Sequence, residues 1–310
     1  MTAAISVETC PTALPARNEV TPSLLLRRAA LYVELIKPRI AMMVGLTVAA
    51  GFVLASPGTI DAFRLIAGVL GICLTAAASS VWNQVLERDT DQLMTRTAGR
   101  PLPTGRISSP ETAWFGTALL VVGVVWLWMV VNPLTAVLSM ATCLSYVLIY
   151  TPLKRRSILA TTIGAIPGAM PPVLGWTAAG GQLDAGALAL FALLFVWQFP
   201  HFLAIAWLYR EQYSQAGLRM WPRDERVAVL TQLTYAAVLI PVSLLPRAAM
   251  LAGGTSTVVA VLAGLWYLIK TFQFTVLRTP TAARSLIHTS LIHLPLVLTA
   301  FAVDHWRLLQ

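Results

Sequence analysis

The sequence predicts an all-α, polytopic integral membrane protein with about nine transmembrane helices around a central cavity. Three observations carry this. Of the 310 residues, 57% are hydrophobic and only 11% charged, with a mean hydropathy of +0.73, so most of the surface has lipid as its solvent. Apolar stretches of bilayer length recur along the whole chain. Basic residues gather in alternate connections between them, as they do in the cytoplasmic segments of membrane proteins.

The spans fall near 35–55, 65–82, 112–131, 134–150, 158–179, 187–208, 227–245, 250–269 and 285–303. Short links such as Asn132-Pro133 and Pro246-Arg247 separate neighbours that hydropathy alone would fuse. Of 22 Lys and Arg, all but Arg64, Arg247 and Arg307 fall on one side of this arrangement. That side is cytoplasmic, the amino terminus lies on it, and an odd number of spans leaves the carboxy terminus outside. The high pI of about 10.0 is therefore a topology signal and does not indicate nucleic acid. Residues 1–28 are polar, contain Pro and Thr and lack an apolar run beside a cleavage site, so they read as a disordered cytoplasmic tail ahead of a membrane domain at 29–310. Cys10, Cys73 and Cys143 have neither disulfide nor zinc spacing.

Polar residues cluster at the cytoplasmic ends of the spans. Asn83-x-x-x-Glu87-x-x-x-Asp91 places three oxygen-bearing side chains on one face of a helix, because each step of four residues turns only about 40°. Such a ladder suits Mg²⁺, which accepts a few protein oxygens and completes its shell with water and phosphate. The same residues also fit a solvated helix end. Arg96 and Arg100 follow at once in a proline-rich loop, and guanidinium groups bind phosphate oxygens in bidentate fashion. Topology alone would also place arginines there. A second polar segment, 207–217, ends the sixth span on the same face, with Lys154-Arg155-Arg156 between the two in sequence. Within the membrane, Gln198 and His201 flank Pro200; polar groups at such depth are costly and often functional, although a packed histidine bonded to its neighbours fits as well. Tyr146, Tyr150 and Trp207 read as interfacial anchors.

Together these pieces resemble the UbiA-type intramembrane prenyltransferases, and within them the protoheme IX farnesyltransferases, or heme O synthases. The resemblance runs from Lys37 to Pro295. It rests on Lys37-Pro38-Arg39, on the Asn83/Glu87/Asp91 ladder with Met94-x-Arg96-Thr97-x-x-Arg100-Pro101-Leu102-Pro103, and on Tyr150-Thr151-x-x-Lys154-Arg155. It rests further on Gly164-Ala165-x-Pro167-Gly168-x-x-Pro171-Pro172-x-x-Gly175-Trp176, on Trp197-Gln198-x-Pro200-His201-Phe202 and on Tyr213-x-x-Ala216-Gly217-x-x-Met220-x-Pro222. Two departures stand out: Gln212 occupies a position where an acidic residue is expected, and Trp221 one where leucine is expected.

The resemblance implies that farnesyl diphosphate and heme B react, with water, to give heme O and diphosphate. It implies Mg²⁺ as cofactor, held by Asn83, Glu87, Asp91 and Glu211, with Asn83, Glu87 and Asp91 catalytic. Diphosphate would be bound by Lys37, Arg39, Arg96, Arg100, Lys154 and Arg155, and heme by Trp197, Gln198 and His201. It also implies a bacterial-type inner membrane as location, the lipid bilayer as surroundings, and heme A synthase or terminal oxidase assembly as the destination of the product. Two rivals remain at this stage. A quinone-precursor prenyltransferase would share the acid ladder, and a heme carrier or transporter would show polar residues at the midplane of several spans and repeated halves.

Overall fold

A computed structural model of the chain describes residues 22–222 and 224–308. Of the expected tail, residues 1–21 lie outside the described residues, whereas 22–28 form the start of a helix, α1 (Pro22–Ile36). The bundle then runs α2 (Pro38–Ala55), α3 (Ala62–Leu86), a short α4 (Arg88–Gln92), α5 (Ser109–Val131), α6 (Pro133–Leu153), α7 (Ala160–Ala178), α8 (Ala185–Leu208), α9 (Arg210–Gln215), α10 (Glu225–Ala248), α11 (Gly254–Leu277) and α12 (Pro280–Leu308).

Among the described residues eight helices are long and apolar enough to span a membrane. The expected count is about nine. The ninth segment is present as α7, 19 residues long, but it is interrupted by Pro167, Pro171 and Pro172 and is less apolar. A helix surrounded by protein does not need a lipid-facing coat, and twelve residues of α7 are buried. It packs closely on α2: a Cβ added at Gly51 would lie 2.0 Å from the Pro172 carbonyl oxygen, and one at Gly175 would lie 1.9 Å from that of Val48. Small residues let helix backbones approach where lipid supplies no hydrophobic drive for association. Large apolar side chains such as Trp114, Met129 and Leu188 instead face outward.

Several spans start where a short polar side chain accepts from the first free backbone N–H groups. Asp61 takes the amide of Arg64, Ser108 that of Glu111, Asn132 that of Thr135, and Asp184 those of Gly186 and Ala187. These caps satisfy donors that the membrane interior could not. Two helices contain π-helical turns, α5 at its end over Leu127–Val131 and α6 near its end over Ser145–Tyr150. The second is stabilised by the Thr151 hydroxyl, which donates to the Tyr146 carbonyl at 2.9 Å.

Connections also sort into two ends. At one end, the Arg219 amide donates to the Lys154 carbonyl, the Arg96 amide to Gln212 Oε1, and Arg278 pairs with Glu225. At the other, Asn132 donates to the Thr177 carbonyl, Arg64 to that of Val131, and Asp304 accepts from Gly253 and Ser256. These contacts pair only loops that the charge pattern assigns to the same side of the membrane.

Candidate active site

The acid ladder does not lie on one straight helix. At Glu87 the backbone leaves the helical region (φ −99°, ψ 7°) and α3 gives way to α4. The four-residue hydrogen-bond repeat survives the break, with the Glu87 amide on the Asn83 carbonyl at 2.9 Å and the Asp91 amide on the Glu87 carbonyl at 2.7 Å. All three side chains therefore still line one chamber, of about 230 Å³, and all three are buried.

Cations enter this chamber from three other segments. Lys154 Nζ lies 2.9 Å from Glu87 Oε1, and Arg100 lies 2.6 Å from Asp91 Oδ2. Arg96 reaches across to α9, where its guanidinium donates to the Tyr213 hydroxyl at 3.4 Å and lies over the ring of Tyr209, the residue just before that helix. Lys154 stands 4.5 Å above the Tyr150 ring, so the tyrosines of the π-helical turn, read from sequence as interfacial anchors, are walls of the chamber. That turn rotates Tyr146 and Tyr150 inward, and π segments recur at functional sites for such reasons.

Charge balance in the chamber follows from burial and neighbours. Burial raises the Asp91 carboxyl above the usual range, and the Arg100 guanidinium opposes the rise. Burial works against charge on Lys154, but Tyr150 and the Glu87 carboxylate outweigh it and hold this lysine above its ordinary range. Lys37, at the α1–α2 junction, is pushed down to about 7 by burial and by the charges of Arg100 and Lys154.

The residues present fit a divalent cation. Asp91 Oδ1 is buried without a hydrogen-bond partner among the described residues, and an orphaned carboxylate oxygen is a costly feature unless something binds it. Asn83 and Glu87 supply further hard oxygen donors to the same chamber. Glu211 does not join them: its side chain is 82% exposed and faces Arg210 at 3.6 Å. Arg39 and Arg155 are also exposed and outside the chamber. Arg155 lines a separate groove of the basic end with Arg156, Arg210 and Arg219.

A second, mostly apolar chamber of about 260 Å³ continues from the first into the bundle. The two share Lys37, Ile40, Tyr146 and Phe202 as lining residues. Its deeper wall holds Val44, Ile72, Pro167, Pro171, Leu174 and the expected pair Trp197 and Gln198. Gln198 is fixed by donating to the Ala165 and Leu194 carbonyls, and a Cβ at Gly168 would collide with its Oε1 at 2.2 Å. His201 is turned the other way. Its Nδ1 lies 2.6 Å from Ser290 Oγ of α12, its ring stacks on Trp197, and it lines neither chamber. Ser139, Thr142 and Cys143, which also line the apolar chamber, carried no signal in the sequence beyond membership of a span.

Comparison with known proteins bears on this arrangement. The profile of the UbiA prenyltransferase family matches residues 44–293. The chain is 42% identical over 285 residues to the protoheme IX farnesyltransferase of Solibacter usitatus, covering 88% of this chain and 98% of that one. It is 40% identical over 292 residues to the protein of the same name from Myxococcus xanthus, covering 93% and 98%. Among solved structures, a digeranylgeranylglyceryl phosphate synthase superposes with a TM-score of 0.75 at 17% identity, over 91% of this chain and 99% of that one. A UbiA homolog from Archaeoglobus fulgidus bound to GPP and Mg²⁺ superposes with a TM-score of 0.63 at 18% identity, over 89% and 99%. These two likenesses concern the fold.

Proposed function

The chain belongs to the UbiA prenyltransferase family, and we propose that it is a protoheme IX farnesyltransferase of a bacterial-type inner membrane, making heme O from heme B, farnesyl diphosphate and water. The observation that carries the chemistry is the joined pair of chambers: a cation-rich head opening directly onto an apolar pocket. That shape matches an anionic diphosphate joined to a hydrocarbon chain. The relatives named above support heme B as the acceptor.

Asn83, Glu87 and Asp91 would hold Mg²⁺, whose contribution is to neutralise charge that grows on the leaving diphosphate. Arg96, Arg100 and Lys154 do the same work from fixed positions. Being held by Tyr213, Asp91 and Glu87, they need little reorganisation when the allylic C–O bond breaks. The electron pair of that bond goes to diphosphate. The heme vinyl group supplies the pair for the new C–C bond, and water captures the cation left beside the porphyrin. The apolar chamber shields the farnesyl carbon from premature capture by water, and the Trp197–Gln198 wall, locked to α7 and α12, defines its far side.

The test is an acceptor competition. Membranes containing the protein receive farnesyl diphosphate with either heme B or a quinone-precursor aromatic acid, and products are separated by chromatography. Heme O from the first mixture and no prenylated acid from the second is the expected result. Prenylation of the aromatic acid alone overturns the assignment of the acceptor.

A further inference from the structure

One face of α3 runs from the polar chamber down into the apolar one. Glu87 and Asn83 stand at its polar end, Ser80, Ser79 and Ala76 follow, and Ile72 comes last. Residues three and four apart share a helix face, so these side chains form a single stripe that stays small between Asn83 and Ile72. From the other side α7 repeats the pattern, with Pro167, Gly168 and Pro171 preceding Leu174. The first large aliphatic side chains that the two helices place in the deep part of the chamber are therefore Ile72 and Leu174, only 1% and 3% exposed.

Beyond these two the bundle is filled. Ile72 and Leu174 belong to one buried cluster with Val48, Phe52, Leu127 and Ala136, contributed by α2, α5 and α6. A Cβ added at Gly71, next to Ile72, would lie 2.6 Å from the Leu127 side chain. A lipid-facing groove between α2 and α12 shares no lining residue with the apolar chamber. The chamber thus has a floor, and its depth converts to chain length. At about 1.5 Å of rise per residue, Ile72 lies roughly 16 Å deeper along α3 than Asn83. Each isoprene unit adds four carbon–carbon bonds to a prenyl chain, about 5 Å when extended. Three units fit above Ile72, and a fourth does not.

We propose that Ile72 and Leu174 form the floor that sets the prenyl length this protein accepts, admitting three isoprene units (C15) and rejecting four (C20). The inference deepens the farnesyltransferase reading and rests on its assignment of diphosphate to the polar chamber and hydrocarbon to the apolar one. No bond changes at the floor and no charge is involved. Selection comes from packing: a fourth unit must push aside side chains of a filled core or fold back on the first three, and close-packed interiors resist both.

The experiment measures binding of unreactive C10, C15 and C20 prenyl thiodiphosphates, with Mg²⁺, to purified wild type, Ile72→Ala/Leu174→Ala and Ala76→Leu. Turnover of the corresponding diphosphates with heme B is followed in parallel. Wild type should bind C15 most tightly. The paired alanines remove about six carbon atoms from the floor, room for one more unit, so the C20-to-C15 ratio of affinities should rise by about 10-fold or more. Ala76→Leu raises the floor by one helical turn, about 5.4 Å. Its C10-to-C15 ratio should rise by a similar factor while C10 affinity is retained. This variant fills space instead of emptying it, so it decides the matter if the double variant does not fold. Wild type that binds C20 as tightly as C15, an unchanged C20-to-C15 ratio in the folded double variant, or unchanged C15 affinity in Ala76→Leu overturns the proposal. Wild type that ranks the three thiodiphosphates as expected but prenylates no heme overturns the farnesyltransferase reading and leaves the floor standing.

Discussion

At the scale of single residues, the site is organised by buried ion pairs whose partners come from distant parts of the chain. Breaking such a pair leaves an uncompensated charge, at about 3–5 kcal/mol, whereas removing both partners costs less. Glu87→Gln should thus lower the melting temperature in detergent more than the double variant Glu87→Gln/Lys154→Met, and a double-mutant cycle showing strict additivity would refute the coupling. Lys37 makes the opposite contribution. Its pKa is near 7 when folded against an ordinary value of 10.5, so between those values the unfolded chain binds more protons and stability rises with pH. Lys37→Met should therefore stabilise the fold most below pH 7, with the gain fading as pH climbs towards 10.5; a gain independent of pH would contradict the burial argument. His201 was the least legible of the candidate residues. Its place beside Pro200 in a span marked it as unusual, but which way the ring turns depends on Ser290, 89 residues away. With its ring against α12, His201→Ala should lower thermal stability while the Soret band of bound heme stays unshifted, and a shifted band would restore an iron-ligand role.

Among the helices, the sequence was most informative about extents and least about interruptions. The expected segment 158–179 matches α7, Ala160–Ala178, closely. Its modest hydropathy comes from the proline and glycine residues that let it sit between α2 and α8, which a hydropathy reading registers only as a weaker span. The break at Glu87 was not legible either, because the four-residue spacing of Asn83, Glu87 and Asp91 fits a continuous helix equally well. The loop-borne candidates divided for a similar reason: Arg96 and Arg100 reach the chamber while Arg39, Arg155 and Glu211 do not, and spacing carries no information on how loops fold over one another. The α2–α7 contact gives a prediction at this scale. Gly175→Ala sets a methyl against the Val48 carbonyl, a backbone atom that cannot swing aside. Overpacking of this kind costs about 1–3 kcal/mol; a melting temperature equal to that of wild type would show that the helices are not in close contact.

Across the whole molecule, charge asymmetry and architecture agree. Loops rich in Lys and Arg contact one another at one end, which is also where the polar chamber opens, and the opposite end is tied by Asn132, Asp304 and the few remaining charges. We propose for this reason that the polar chamber lies on the cytoplasmic side. In a variant lacking Cys10, Cys73 and Cys143, a cysteine at Gln215 should react with a membrane-impermeant maleimide only from the cytoplasmic side and one at Gln182 only from the other. The reverse pattern would invert the orientation.

In the proposed complex one substrate divides itself between two chambers. The direct measurement is an experimental structure with an unreactive farnesyl thiodiphosphate and Mn²⁺ in place of Mg²⁺. Metal density among Asn83, Glu87 and Asp91 is predicted, with the diphosphate against Arg96, Arg100 and Lys154, and the hydrocarbon passing Lys37 and Phe202 towards Gln198. Diphosphate in the Arg155–Arg219 groove, or hydrocarbon in the lipid-facing groove between α2 and α12 lined by Met43 and Pro295, would contradict it.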